Sequence, residues 1–95
     1  MVEVILEIFL KHYPNDLERI RRALVDREHK VVSLVAQSLR GTLAVFGAAP
    51  AVQLALRLEK LAERADPVDL NAFSLFELLV IEIEQLTVVL KSMVK

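Results

Sequence analysis

Apolar residues recur every three to four positions through most of the chain, which is the spacing of one buried face of an α-helix. The first apolar stripe runs as far as His12 and consists of Val2, Ile5, Leu6, Phe9 and Leu10. Pro14 follows, and a proline disfavours helical angles in the residue before it. A second stripe begins after Asn15 or Asp16, either of which can cap a helix. It consists of Leu17, Ile20 and Leu24. The pattern predicts either two short helices or one longer helix kinked at Pro14.

Two amphipathic segments follow, and glycine and proline mark their boundaries. The first is predicted to be a helix over about residues 29–46 that stops at Gly47, a usual position for a left-handed cap. Pro50 suits the first turn of the next helix, which extends to about Arg64. The inward positions of that helix are predicted to be Leu54, Leu58 and Leu61.

The last predicted helix covers about residues 73–94, after a break at Asp66 and Pro67 and a connection over residues 68–72. Its inward stripe is Phe76, Leu79 or Val80, Ile83, Leu86, Leu90 and Val94. Short connections between long helices favour antiparallel neighbours. The chain is therefore predicted to be one all-α domain over residues 1–95. The expected architecture is an antiparallel up-and-down four-helix bundle with a short extra N-terminal helix.

Composition supports this class and narrows the chemistry. With two Gly and three Pro, the chain lacks the turn residues that a barrel or sandwich needs about every 8–12 residues. The formal net charge is −1, so no basic field for nucleic acid or an anionic membrane is expected. No cysteine is present, which fits a reducing cytosol, and two lone histidines make a poor metal site. We expect a cytoplasmic protein without a metal, a cofactor, a nucleic-acid partner or a membrane partner.

One stretch carries more than helical periodicity. It reads Ala36-Gln37-Ser38-Leu39-Arg40-Gly41, then Phe46-Gly47-Ala48, then Leu54 and Leu58-Glu59. This pattern resembles the signature of histidine-phosphotransfer (HPt) domains, which runs Ala-His-x-Leu-Lys-Gly, then Gly-Ala, then a Leu-rich helix ending in Leu-Glu. The resemblance extends over nearly the whole chain, through residues 9–14 and 26–30. It implies a module of two-component phosphorelay signalling that exchanges phosphoryl groups with the receiver domains of response regulators.

The chain departs from that signature at the phosphoacceptor, because Gln37 stands at the position of the family's histidine. An amide nitrogen has its lone pair delocalised into the carbonyl group and is not a nucleophile. Glutamine still has a similar reach and both donates and accepts hydrogen bonds. We expect no catalytic residue and no enzymatic activity in the chain as written. It is either a degenerate relay module or an inactivated variant of an active one.

The neighbours of Gln37 form a predicted partner-binding surface. Arg40 lies on the same helix face and matches the family's lysine, a cation near the incoming phosphoryl group. Gly41 has no side chain next to the site, and the resemblance implies that this allows close approach of the partner. The same face carries an apolar rim of Ser33, Leu34, Ala44 and Val45. His12 is expected at the edge of this surface, and the expected partner is a receiver domain.

A surplus of apolar residues on the last helix supports an alternative. Beside the inward stripe lies a second one, formed by Leu75, Leu78, Ile81, Val88, Val89 and Met93. A helix that is apolar nearly all round is buried on more than one side. A homodimer through the last helix is therefore a hypothesis. The alternative function is a structural or oligomerisation bundle that keeps the fold without binding receivers.

Overall fold

The computed structural model describes residues 2–64 and 70–93, and these residues form four α-helices. The helices are α1 (Val2–Val25), α2 (His29–Val45), α3 (Ala49–Glu63) and α4 (Leu70–Met93). Each helix packs against the next along the chain, and α4 returns to α1. The bundle measures 43 × 18 × 17 Å, as expected for helices that share one long axis. The predicted all-α four-helix bundle is confirmed.

The prediction of a short extra N-terminal helix is wrong, because α1 continues without a break through Pro14. Phe9 before the proline and Leu17 and Ile20 after it are all buried, so one continuous helix keeps a single apolar stripe against the core. A proline inside a helix removes one backbone hydrogen bond. Burial of the stripe on both sides outweighs that loss, and the longer-helix alternative is the correct one.

The start of α4 also differs from the prediction. The helix begins at Leu70, about three residues earlier than expected. The predicted break at Asp66 and Pro67, and the predicted last residue Val94, lie outside the described residues. No described helix has the length and hydropathy needed to cross a membrane.

All four helices contribute to one core. Its largest fully buried side chains are Ile20, Leu24, Val32, Leu43, Leu58, Leu79 and Ile83. Full burial of each such side chain contributes about 1.5–3 kcal/mol. On α3, Ala51 and Ala55 are buried with Leu58, whereas Leu54 and Leu61, expected inside, are only partly buried. Ala51 lies on the side of α3 near Leu86 and Val89 of α4.

An aromatic cluster fixes how α1 lies along α2. The ring of Phe9 stacks on Tyr13 at 5.4 Å between centroids and contacts Phe46 in a tilted arrangement at 5.3 Å. Phe9 belongs to the N-terminal half of α1, and Phe46 directly follows α2. This contact sets the two helices antiparallel and places the start of α1 beside the end of α2.

Helices α1 and α2 end in the same way. The N–H of Glu28 donates to the carbonyl of Ala23 at 2.8 Å, and the N–H of Ala48 donates to the carbonyl of Leu43 at 3.3 Å. The residue before each donor is left-handed: Gly47 has φ +67°, and Arg27 has φ +58°. The predicted left-handed cap at Gly47 is confirmed. Arg27 adopts the same conformation with a Cβ atom, which is unfavourable.

We therefore expect Arg27→Gly to raise the free energy of unfolding by about 0.5–1 kcal/mol, because glycine adopts positive φ without a steric penalty. Gly47→Ala is the matched control and should lower it by a similar amount. A Cβ at Gly47 would have no neighbour within 4 Å, so its effect reports on the backbone alone. Urea unfolding followed by circular dichroism measures both. Loss of stability in Arg27→Gly would contradict this account of the cap.

Candidate functional site

The outer side of α2 carries the residues that the sequence singled out. We call this surface the α2 face, and it consists of Ser33, Leu34, Gln37, Arg40, Gly41, Ala44 and Val45. Their spacing of three and four residues places them on one side of the helix. The opposite side of α2 carries Val32, Val35, Leu39 and Leu43, all of which are buried in the core. The core therefore determines which way the α2 face points.

Gln37 lies in the middle of this face with its side chain exposed. Leu34 is 65% exposed beside it, and Ala44 and Val45 are also exposed, whereas Ser33 is partly buried. Within the described part of the chain, the Gln37 side chain makes no hydrogen bond. Its amide is consequently able to donate to and accept from a partner.

Arg40 is held by an ion pair with α3. Its Nε donates to Oε1 of Glu59 at 2.9 Å, and the two side chains are 32% and 7% exposed. Among the described residues this is the one ion pair that joins two different helices. Hydrogen bonds between charged groups are stronger than neutral ones, so the pair fixes the guanidinium relative to Gln37. The other N–H groups of Arg40 make no hydrogen bond to the described residues.

This ion pair was missed at the sequence level, although both residues stood inside the motif. Arg40 and Glu59 are separated by 19 residues and a helix connection. Their pairing depends on the register of α3 against α2, a tertiary property that helical periodicity alone does not give. The only signal in the sequence was the co-occurrence of a cation near Gln37 and a glutamate after Leu58.

Gly41 is exposed in the interior of α2, where the chain's own packing does not require a glycine. A Cβ atom added there would find no neighbour within 4 Å. A glycine inside a helix costs about 0.5–1 kcal/mol relative to alanine. The chain thus keeps a bare backbone next to Gln37 at a cost to its own stability. Packing within the described residues therefore gives no reason for a glycine at this position.

His12 is exposed on α1, three residues after Phe9. The contact of Phe9 with Phe46 places this part of α1 beside the C-terminal half of α2. His12 is therefore level with the C-terminal part of α2 and not with Gln37, and its place at the edge of the α2 face stays a prediction.

Taken together, the fold and the site define a class: a four-helix bundle whose second helix presents a polar centre with a cation, a bare glycine and an aliphatic rim. The family model described as Hpt domain matches residues 4–88, which is most of the chain. The chain therefore belongs to the Hpt domain family, whose members take part in two-component phosphorelays. No significant match is found among curated proteins or among solved structures. The resemblance inferred from the motif is confirmed at the level of the family.

Proposed function

We propose that this chain binds receiver domains of response regulators through the α2 face and does not itself accept phosphate, because Gln37 occupies the phosphoacceptor position. The observation that carries the proposal is Gly41. Gly41 is exposed, and a Cβ atom there would have no neighbour within 4 Å. Its bare backbone suits the close approach of another protein. An exposed helix position without such a contact is more stable with alanine than with glycine.

The chemistry of the centre supports binding rather than transfer. Gln37 presents an amide, which offers hydrogen bonds but no nucleophilic nitrogen. Under this proposal the chain is neither an enzyme nor a phosphate carrier. It competes for receivers with proteins that do carry a histidine at this place, and a cytoplasmic location stays a prediction.

The charge of the face suits an acidic partner site. Arg40 keeps N–H groups that bind nothing within the described residues, and Lys30 is exposed one turn before Ser33 and Leu34. No residue of the α2 face is acidic. A receiver carries its phosphoryl group on an aspartate, so the remaining N–H groups of Arg40 and the charge of Lys30 are complementary to it.

We expect Leu34→Asp to weaken binding to a cognate receiver about tenfold or more, because Leu34 is exposed and its burial in the complex would be lost. Titration calorimetry against a set of receiver domains measures the affinity. Val88→Asp is the matched control, since Val88 is 70% exposed on α4, away from the α2 face. Unchanged affinity of Leu34→Asp would contradict the proposed interface. Arg40→Glu is a poorer test, because it places a second carboxylate beside the buried Glu59.

Gly41→Ala is expected to separate stability from binding. The substitution should raise the free energy of unfolding by about 0.5–1 kcal/mol, because alanine is the better helix former. The added methyl group should weaken receiver binding, because it stands where the partner approaches. Chemical unfolding and titration calorimetry on the same sample measure both effects. A more stable protein that binds receivers as well as before would remove the main support for the proposal.

The competing function is a structural bundle that self-associates through α4. The observation in its favour is a set of exposed aliphatic side chains on that helix: Leu78, Ile81, Val88, Val89 and Met93. Exposed apolar patches commonly mark protein contacts. Light scattering at micromolar concentration tests this alternative, because a homodimer has twice the monomer mass. A monomer would count against it.

A further inference from the structure

A groove of about 780 Å³ runs between α1 and α4, where the two helices make the smallest of the four helix contacts. Its apolar lining includes Tyr13, Leu17, Phe73, Phe76 and Val80. Tyr13, Phe73 and Val80 are only partly buried, so the groove is accessible from outside. The bundle therefore leaves one long apolar surface without a partner from its own helices.

The groove has the length of a short helix. Its lining extends from Tyr13 to Val25 on α1 and from Phe73 to Glu84 on α4. At 1.5 Å per helical residue, both edges are roughly 17 Å long, which corresponds to about three turns of a bound helix. Helices that bind in such grooves place residues i, i+3, i+4 and i+7 against the apolar surface.

The apolar surface continues outward from the groove. Ile81 lines the groove and is half exposed, and Val88 lies two turns further along α4 with most of its side chain in solvent. Leu78 is half exposed one turn before Ile81. A helix in the groove would cover Ile81 and lie against part of this stripe.

Among the described residues, the carboxylates at the groove rim that form no ion pair lie on α4. On α1, Arg21 Nε donates to Oε1 of Glu18 at 2.8 Å, and this bond lowers the pKa of the Glu18 carboxyl group. Arg22 Nε also lies 3.4 Å from Oε2 of Glu18, so two arginines share this carboxylate and α1 adds no unpaired negative charge to the rim. On α4, Glu77 and Glu84 line the groove, and neither forms an ion pair within residues 2–64 and 70–93. The α4 rim offers two carboxylates to a ligand.

We infer that the α1–α4 groove binds an amphipathic helix of about three turns, with apolar residues on one face and Lys or Arg along the flank that meets Glu77 and Glu84. Charge favours this basic helix over the α4 helix of a second copy. The flanks of α4 carry Glu77, Glu82 and Glu84, so two α4 helices side by side would bring like charges together.

The groove and the α2 face lie on different sides of α1. The groove is lined by residues of α1 and α4, and no residue of the α2 face is among them. The two surfaces can therefore be occupied at the same time, and the inference does not depend on receiver binding.

The experiment uses a lactam-stabilised helical peptide of about fourteen residues, with leucines at i, i+3, i+4 and i+7 and lysines on one flank. Amide chemical shifts of the labelled protein locate the binding site, and fluorescence anisotropy gives the affinity. We expect saturable one-to-one binding, with shifts confined to α1 and α4. Glutamate in place of lysine, or a scrambled order, should abolish it.

Variants of the protein test the same contacts. Ile81→Ser should weaken peptide binding about tenfold, and Glu77→Gln with Glu84→Gln about threefold. Glu63→Gln on α3 and Leu34→Asp on the α2 face are controls that should leave it unchanged. Equal binding of the acidic peptide, shifts outside α1 and α4, or full affinity of Ile81→Ser would each overturn the inference. If the protein does not bind the peptide but forms a homodimer that Ile81→Ser disrupts, the inference is also overturned, and the groove binds a second copy of the chain instead.

Discussion

Gln37→His is expected to turn a protein that takes up no phosphate into one that is phosphorylated at position 37. The imidazole nitrogen supplies the lone pair that the amide lacks. The proposal takes the rest of the site as intact, since position 37 is exposed, Arg40 is held by Glu59 and a Cβ at Gly41 would have no neighbour. Incubation with a small-molecule phosphoryl donor, and then with a phosphorylated receiver, followed by mass spectrometry, measures the product.

Two controls make the result interpretable. Gln37→Asn should remain unlabelled, and Gln37→His with Leu34→Asp should accept phosphate from the small molecule but poorly from the receiver. Circular dichroism verifies that each variant is folded. A folded Gln37→His protein without phosphohistidine would contradict the proposal that position 37 is an otherwise intact phosphoacceptor site. Either receiver binding without an intact phosphoacceptor site or the structural bundle would then take its place.

Arg40→Met is expected to destabilise the fold by about 2–4 kcal/mol, because it leaves the Glu59 carboxylate buried without a counter-charge. The lower part of this range allows for the partial exposure of Arg40, through which water still reaches the carboxylate. A domain of this size has a total stability of roughly 5–14 kcal/mol, so the loss is a large fraction of it. Urea unfolding at neutral pH measures the change.

A double-mutant cycle isolates the pair. Arg40→Met with Glu59→Leu should recover most of the lost stability, since replacing both ions by apolar side chains removes the unpaired charge. Receiver binding should stay weak in the double variant, because the cation is gone from the α2 face. If Arg40→Met alone is as stable as the unmodified chain, the ion pair does not hold α2 and α3 together in solution.

Periodicity was enough to predict the four-helix bundle, because each helix buries one continuous stripe and the chain has few turn residues. Gly47 was readable as a cap for a local reason, its need for positive φ. The sequence did not predict whether the helix continues through Pro14, because a helix break depends on a balance between one lost hydrogen bond and burial further along the chain. Burial on both sides of the proline is a tertiary effect, absent from the local pattern.

The position of Gln37 on an exposed face of α2 also followed from sequence, since helix spacing places it opposite Val35 and Leu39. The restraint on Arg40 did not, because it depends on how close α3 lies to α2. The buried positions of α3 include the small residues Ala51 and Ala55, whereas the larger Leu54 was expected to face inward. Side-chain size at a helix contact is harder to read than the periodicity that defines the helix.

The small contact between α1 and α4 also bears on the order of folding. It joins segments near the two ends of the chain, so its formation closes the longest loop and carries the largest entropic cost. The closely packed α2–α3 hairpin joins neighbouring segments of the chain. We therefore expect the α1–α4 contact to form last and to open first in sub-global fluctuations. A helix bound in the groove would bridge both elements and slow the unfolding of the whole bundle.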